Sequence, residues 1–202
     1  MQALALNCTL KRGDAASSTD KLLREVLEGL KRNGCDAADG PVRVANLAIL
    51  PGVTSDEGEG DQWPDLRRRI LAADILVMGT PIWLGQPSSI AKRVLERMDA
   101  FLGETDEDGR MVTFGRVVVV AVVGNEDGAH HVTAELYQAL ADVGFTIPAG
   151  GSTYWVGEAM QKKDYQDLGA TPDTTAAATA TAVANAVHLA RLLQESAYPP
   201  AK

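Results

Sequence analysis

Seven consecutive small apolar residues, Val117 to Val123, six of them valine, constrain this chain more than any other segment. A strand with one face in water alternates apolar and polar side chains, because successive Cβ atoms point to opposite faces. A run without alternation is buried on both faces, as in an interior strand of a parallel sheet covered by helices. The rest of the chain must therefore supply further strands and two helical layers.

It supplies them in alternation. Ala3 to Leu6 is a short apolar run ending at Asn7, and Val42 to Leu47 reads as a second strand. Ile75 to Met78 is a third strand, and the valine run is the fourth. Phe145 to Ile147 starts a fifth, with Ser152 to Val156 a further strand or its extension. Leu22, Leu23, Val26, Leu27 and Leu30 recur at helical spacing, and Asn33-Gly34 stops that helix. Asp65 to Ala72, Ser89 to Leu102 and the segment around Val132, Leu136, Leu140 and Val143 predict three more helices. Thr171-Pro172-Asp173 opens a C-terminal helix over residues 172–197, with a proline at its start and an acid in its first turn. The expected fold is α/β, a doubly wound five-stranded parallel sheet with helices on both faces. No linker or composition shift divides the chain, so residues 1–202 read as a single domain.

The formal net charge of −8 disfavours phosphate backbones and anionic lipid as partners. Two cysteines, Cys8 and Cys35, build no disulfide framework and suit a reducing compartment. Met1 to Leu10 lacks the charge and cleavage pattern of a signal peptide, and no stretch reaches the roughly 18 apolar residues of a spanning helix. A cytoplasmic protein with no nucleic-acid or membrane partner is expected.

In open α/β sheets the ligand lies beyond the carboxyl ends of the strands. The loop after the first strand, Asn7 to Asp20, carries Thr9, Lys11, Ser17, Ser18 and Thr19 into a helix N-terminus, where free N–H groups and the dipole attract an anion. It contains neither a Walker nor a Rossmann glycine pattern, so any phosphate here is held mainly by neutral donors. One of the hydroxyls, or Asp20, equally serves as a helix cap. The loop after the third strand, Gly79 to Ser89, places Ile82, Trp83 and Leu84 between Pro81 and Pro87, with Gly85 beside them. A rigid apolar loop with free backbone groups suits a flat aromatic ring; a subunit interface is the other reading of Trp83. After the valine run comes Gly124-Asn125-Glu126-Asp127-Gly128-Ala129-His130-His131. Its acids and histidines are adjacent rather than at metal-ligand spacing, so no metal is expected. The loop is a turn with a helix cap, or it closes over a cofactor's other edge.

The segment Thr80-Pro81-Ile82-Trp83-Leu84-Gly85-x-x-Ser88, followed by Lys92, resembles the flavodoxin-like NAD(P)H-dependent FMN reductase family. The hydroxyl-rich first loop and the G-N-x-x-G stretch at Gly124 agree in order and spacing, so the resemblance covers Ala3 to Ile147. It implies a flavodoxin-like fold with FMN as cofactor and NADH or NADPH as co-substrate. The phosphate would lie among Thr9, Lys11, Ser17, Ser18 and Thr19. Pro81, Ile82, Trp83, Leu84 and Gly85 would line one side of the isoalloxazine, with Asn125, Asp127 and Gly128 on the other and His130 at its edge. Members often have Asp-Arg after the lysine, where this chain has Glu96-Arg97. Two distant cysteines exclude the iron–sulfur branch.

The resemblance implies an enzyme in which the flavin does the chemistry and no catalytic side chain is required. It would reduce a small acceptor such as a quinone, a free flavin or a nitro compound. A flavodoxin-type electron carrier docking on redox proteins is the alternative, and the acidic charge suits it. The Trp155 segment and the C-terminal helix favour an enzyme that shares its pocket with a neighbour in a homodimer or homotetramer. Arg67-Arg68-Arg69 is a solvated helix face or a 2′-phosphate contact.

Overall fold

In the computed structural model, residues 1–37, 40–158 and 161–200 are described. The first half runs β1 (Gln2–Asn7), α1 (Ser18–Arg32), β2 (Asp36–Ala37), β3 (Val42–Arg43), α2 (Trp63–Ala72), β4 (Ile75–Trp83), β5 (Gln86–Pro87) and α3 (Ser89–Met98). The second runs β6 (Val117–Gly124), α4 (Ala129–Asp142), β7 (Ser152–Val156) and α5 (Asp173–Glu195). The sheet order is β2-β1-β4-β6-β7, every pair parallel. β3 also pairs in parallel with β1, at Leu6 and Asn7, whereas β2 pairs at Gln2 and Ala3. The two pieces are halves of one edge position. This is the doubly wound order of flavodoxin-like folds.

The valine strand shows why both faces need cover. Val117, Val119, Ala121 and Val123 pack with α1 and α5, while Val118, Val120 and Val122 pack with α2, α3 and α4. Each fully buried valine contributes roughly 1.5–3 kcal/mol before the cost of ordering the chain. Small residues let α5 come close: a Cβ on Gly29 of α1 would stand 3.1 Å from Val183 Cγ2. Among the described residues α5 is the one helix long and apolar enough to cross a membrane. Its Ala182, Val183, Ala186 and Ala190 face is buried within the fold.

Four elements depart from the sequence expectation. The helix expected over Ser89 to Leu102 ends at Met98, and Asp99–Gly103 tightens into a 3₁₀ turn that buries Phe101. The second strand stops at Arg43 because Val44–Asn46 forms a 3₁₀ turn that buries Val44 and Ala45. Phe145 to Ile147 makes a single bridge, Thr146 to Val117, and β7 is the fifth strand. Pro148 has no N–H to continue a ladder, and its carbonyl accepts from Gly151 N at 3.0 Å, which closes a turn. β4 does not end at Met78 but runs on through Trp83.

The acidic loop between Pro51 and Gln62 is fastened from inside. Arg97 of α3, fully buried, pairs with Asp61 at 2.8 Å and donates to the carbonyls of Leu50 and Thr54, both at 2.9 Å. Its guanidinium also lies 5.5 Å from the ring centroid of Trp63. Burial alone would raise the Asp61 carboxyl. Hydrogen bonds from Glu57 N, Trp63 N, Arg97 and Leu50 N outweigh it and hold the group below its usual 3.8.

Candidate functional site

The carboxyl ends of β1, β4, β6 and β7 open on a cavity of about 350 Å³. Sites for small cofactors run from roughly 300 to 1,000 Å³. Its position, where strand order reverses between β1 and β4, is where such sheets bind ligands.

One wall is the loop after β1. Asn7 is buried and shapes it, its Oδ1 accepting from Thr9 N at 3.1 Å and its Nδ2 donating to Asp20 at 3.2 Å. Thr9, Lys11, Ser17, Ser18 and Thr19 all line the cavity. Their hydroxyls differ in what they already do. Ser17 caps α1, its Oγ accepting from Asp20 N at 3.3 Å. Ser18 Oγ accepts from Gln166 N at 3.2 Å. Thr19 Oγ1 is buried and has no partner among the described residues. An unpaired buried hydroxyl costs about 1–3 kcal/mol, so its place beside the free N–H groups of a helix start fits an anionic ligand. Lys11 Nζ donates to Ala16 O at 2.8 Å. Neutral donors with a single lysine form a set suited to a phosphate.

The opposite wall is the end of β4, which pairs with β5 as a tight hairpin. Leu84 and Gly85 form its two-residue turn, with φ of 52° and 73°. Positive φ at both positions is the type I′ pattern matched to strand twist. Leu84 is the one non-glycine residue with positive φ among those described, at a cost of roughly 1–2 kcal/mol. Glu126 Oε1 holds it by accepting from Leu84 N at 2.7 Å. At the hairpin base, Ser88 N donates to Thr80 Oγ1 at 3.0 Å, and Ser88 Oγ donates to Cys8 O at 2.5 Å. Pro81, Ile82 and Trp83 line the cavity. Leu84, 90% exposed, and Gly85 stand at the tip, outside the lining.

Gly124 at the end of β6 and Asn125 and Glu126 of the loop after it contribute to the lining. Asp127, Gly128 and His130 lie outside it. Gly128 instead abuts the hairpin tip, and His130 sits on the exposed first turn of α4, its Nε2 3.2 Å from Tyr154 Oη. Among the described residues no three His, Cys, Asp or Glu side chains are grouped to hold a metal. Burial pushes the Cys8 thiol up to about 12, so it is no nucleophile at neutral pH.

Trp155 and Asp164 complete the cavity and belong to no motif in the sequence. Asn125 Nδ2 donates to Asp164 Oδ1, and Gly157 N donates to Gly124 O at 2.9 Å, so the segment after β7 is sewn to the loop after β6. Trp155 therefore serves the cavity of its own chain. Its rarity was a signal, with three tryptophans in the whole sequence; Asp164, after two lysines, gave none.

The sequence model of the family described as NADPH-dependent FMN reductase matches residues 1–161. The chain is 34% identical over 211 residues to 8-demethyl-8-aminoriboflavin-5'-phosphate synthase of Streptomyces davaonensis, covering 98% of this chain and 80% of that one. It is 36% identical over 204 residues to a Mycobacterium bovis protein named divalent metal cation transporter MntH. That alignment takes in 98% of this chain, which spans 30% of the length of the relative. The crystal structure of RosB with the bound intermediate 8-demethyl-8-formylriboflavin-5'-phosphate has a TM-score of 0.88 at 31% identity, over 98% of this chain and 82% of that one. An NADH:FMN oxidoreductase shares the fold, with a TM-score of 0.66 at 19% identity over 98% and 91% of the two chains. The chain belongs to the NADPH-dependent FMN reductase family, flavodoxin-like oxidoreductases that use FMN with NAD(P)H as electron donor.

Proposed function

We propose that the cavity holds FMN and that the protein reduces a small acceptor, a quinone, a free flavin or a nitro compound, with electrons from NADH or NADPH. The flavin supplies the hydride chemistry when bound, and the chain supplies position and electrostatics. Thr9, Lys11, Ser17, Ser18 and Thr19 take the phosphate at the start of α1. Pro81, Ile82, Trp83 and Asn125 take the ring, with Trp155 beside them. Leu84, Gly85, Asp127 and Gly128 act indirectly by keeping the hairpin against the loop after β6, and His130 braces Tyr154. Residues 1–202 work as one domain because a single sheet carries both hydrophobic layers. The enzyme is cytoplasmic and binds neither membrane nor nucleic acid. It is a homodimer or homotetramer in which a neighbour covers Leu10, Trp83 and Leu84, exposed at 47%, 54% and 90% around the cavity.

The Thr19 hydroxyl carries this reading, because it is a buried donor without a partner among the described residues, on a residue that lines the cavity at the start of α1. Mixing FMN-loaded protein with NADPH under air tests the reaction. Continuous NADPH oxidation supports a reductase. A loaded protein that both nicotinamides leave oxidised is a carrier.

One observation favours a second reading, in which a flavin phosphate is the substrate. The synthase relative is named for a product altered at position 8 of riboflavin phosphate, and it aligns with 98% of this chain. Mass analysis of the flavin recovered after turnover separates the two: an unchanged FMN mass supports the reductase.

A further inference from the structure

Trp155 lines the cavity, and the ring of Tyr165 lies 5.4 Å from it, centroid to centroid, at 45°. That spacing is a direct aromatic contact. Tyr165 is fully buried, and its hydroxyl donates to Glu25 Oε2 on α1. Glu25 also accepts from Thr171 Oγ1 at 2.8 Å and lines a second cavity, of about 500 Å³, between α1 and α5. An indole, a phenol and a carboxylate thus join one cavity to the other. Lys21 fixes the phenol ring, its Nζ 5.0 Å from the centroid and donating to the carbonyls of Tyr165 and Leu168.

We propose that Trp155, Tyr165 and Glu25 form a relay for one electron and one proton that quenches light-excited FMN in the cavity. The relay rests on the reading that FMN binds there. Trp155 gives one electron to the flavin excited by blue light and becomes an indole cation radical. Tyr165 returns one electron to the indole, and its hydroxyl proton passes to Glu25 along the existing hydrogen bond. A neutral phenoxyl radical and a protonated Glu25 result. Return of the electron from the flavin and of the proton from Glu25 restores every group, so no net reaction occurs.

Glu25 is what makes Tyr165 usable. A phenol that lost an electron and kept its proton would carry a buried positive charge next to the Lys21 ammonium. Burial, and then the bond to Glu25, raise the phenol above its ordinary pKa, so it holds its proton until oxidation releases it.

The test loads the full chain with FMN, following binding by the change in FMN absorbance, and then records fluorescence lifetime and transient absorption after a blue flash. The relay predicts a bound-FMN lifetime several-fold shorter than that of free FMN and a neutral tyrosyl radical after the flash. Tyr165→Phe binds FMN as before but loses the tyrosyl signal and leaves a longer-lived indole radical. Glu25→Gln, which keeps the α1 contact without a basic oxygen, also loses it. Trp155→Phe lengthens the lifetime. FMN-loaded protein that forms no tyrosyl radical, or the same radical in Tyr165→Phe, overturns the relay and leaves the FMN site standing. No absorbance change on adding FMN overturns both.

Discussion

A Cβ on Gly128 would stand 2.9 Å from the Cα of Gly85, so the hairpin tip and the loop after β6 meet backbone to backbone. Gly128 also has φ of 125°, which side chains rarely adopt. Gly128→Ala therefore pushes the hairpin away from the loop and strains the turn, at about 1–3 kcal/mol. FMN affinity falls by more than the melting temperature implies, because the cavity is lined by Ile82 and Trp83 of the displaced hairpin. Binding titrations beside thermal melts check this; equal affinity in the variant would show that the contact does not position the site.

Thr19→Val replaces an unpaired buried hydroxyl with an apolar group of the same shape. Without ligand the variant is as stable as the parent or more so, by about 1 kcal/mol, because no hydrogen bond is lost. FMN binding weakens roughly tenfold, the worth of one charge-assisted hydrogen bond. Riboflavin, which lacks the phosphate, binds both proteins equally. A variant that loses riboflavin and FMN alike would place Thr19 at the ring instead.

The buried Arg97–Asp61 pair, 2.8 Å apart, predicts both a mutational and a pH effect. Arg97→Met leaves Asp61 buried and unpaired and costs about 3–5 kcal/mol, read by chemical denaturation. The Asp61 carboxyl is held below its usual 3.8. Its contribution is therefore complete above that value and is lost as pH falls through the folded-state pKa. Asp61→Asn is less stable at neutral pH and flatter below 3.8. A variant with the parent's slope there would show that Asp61 does not set the acid limb.

The sequence was most legible where one physical demand acted alone. Val117 to Val123 had to be buried on both sides, and the parity of its contacts bears that out. The loop after β1 was legible because hydroxyls collect at a helix start, but sequence alone could not separate Ser17, a cap, from Thr19, left unpaired. The Thr80 to Ser88 segment has the composition of a loop, with its prolines and Gly85. It is a strand and hairpin because Thr80 and Ser88 clamp the base and Glu126, 42 residues away, holds Leu84. Asp164 was illegible, because its partner Asn125 lies 39 residues off in sequence. Contacts over such separations leave no local period to read.

Whether the cavity holds FMN is decided by titrating the purified chain with FMN and following flavin absorbance. Saturable binding of one FMN per chain, weakened in Thr19→Val, is the expected result. A protein purified without flavin that also leaves the spectrum of added FMN unchanged would contradict it.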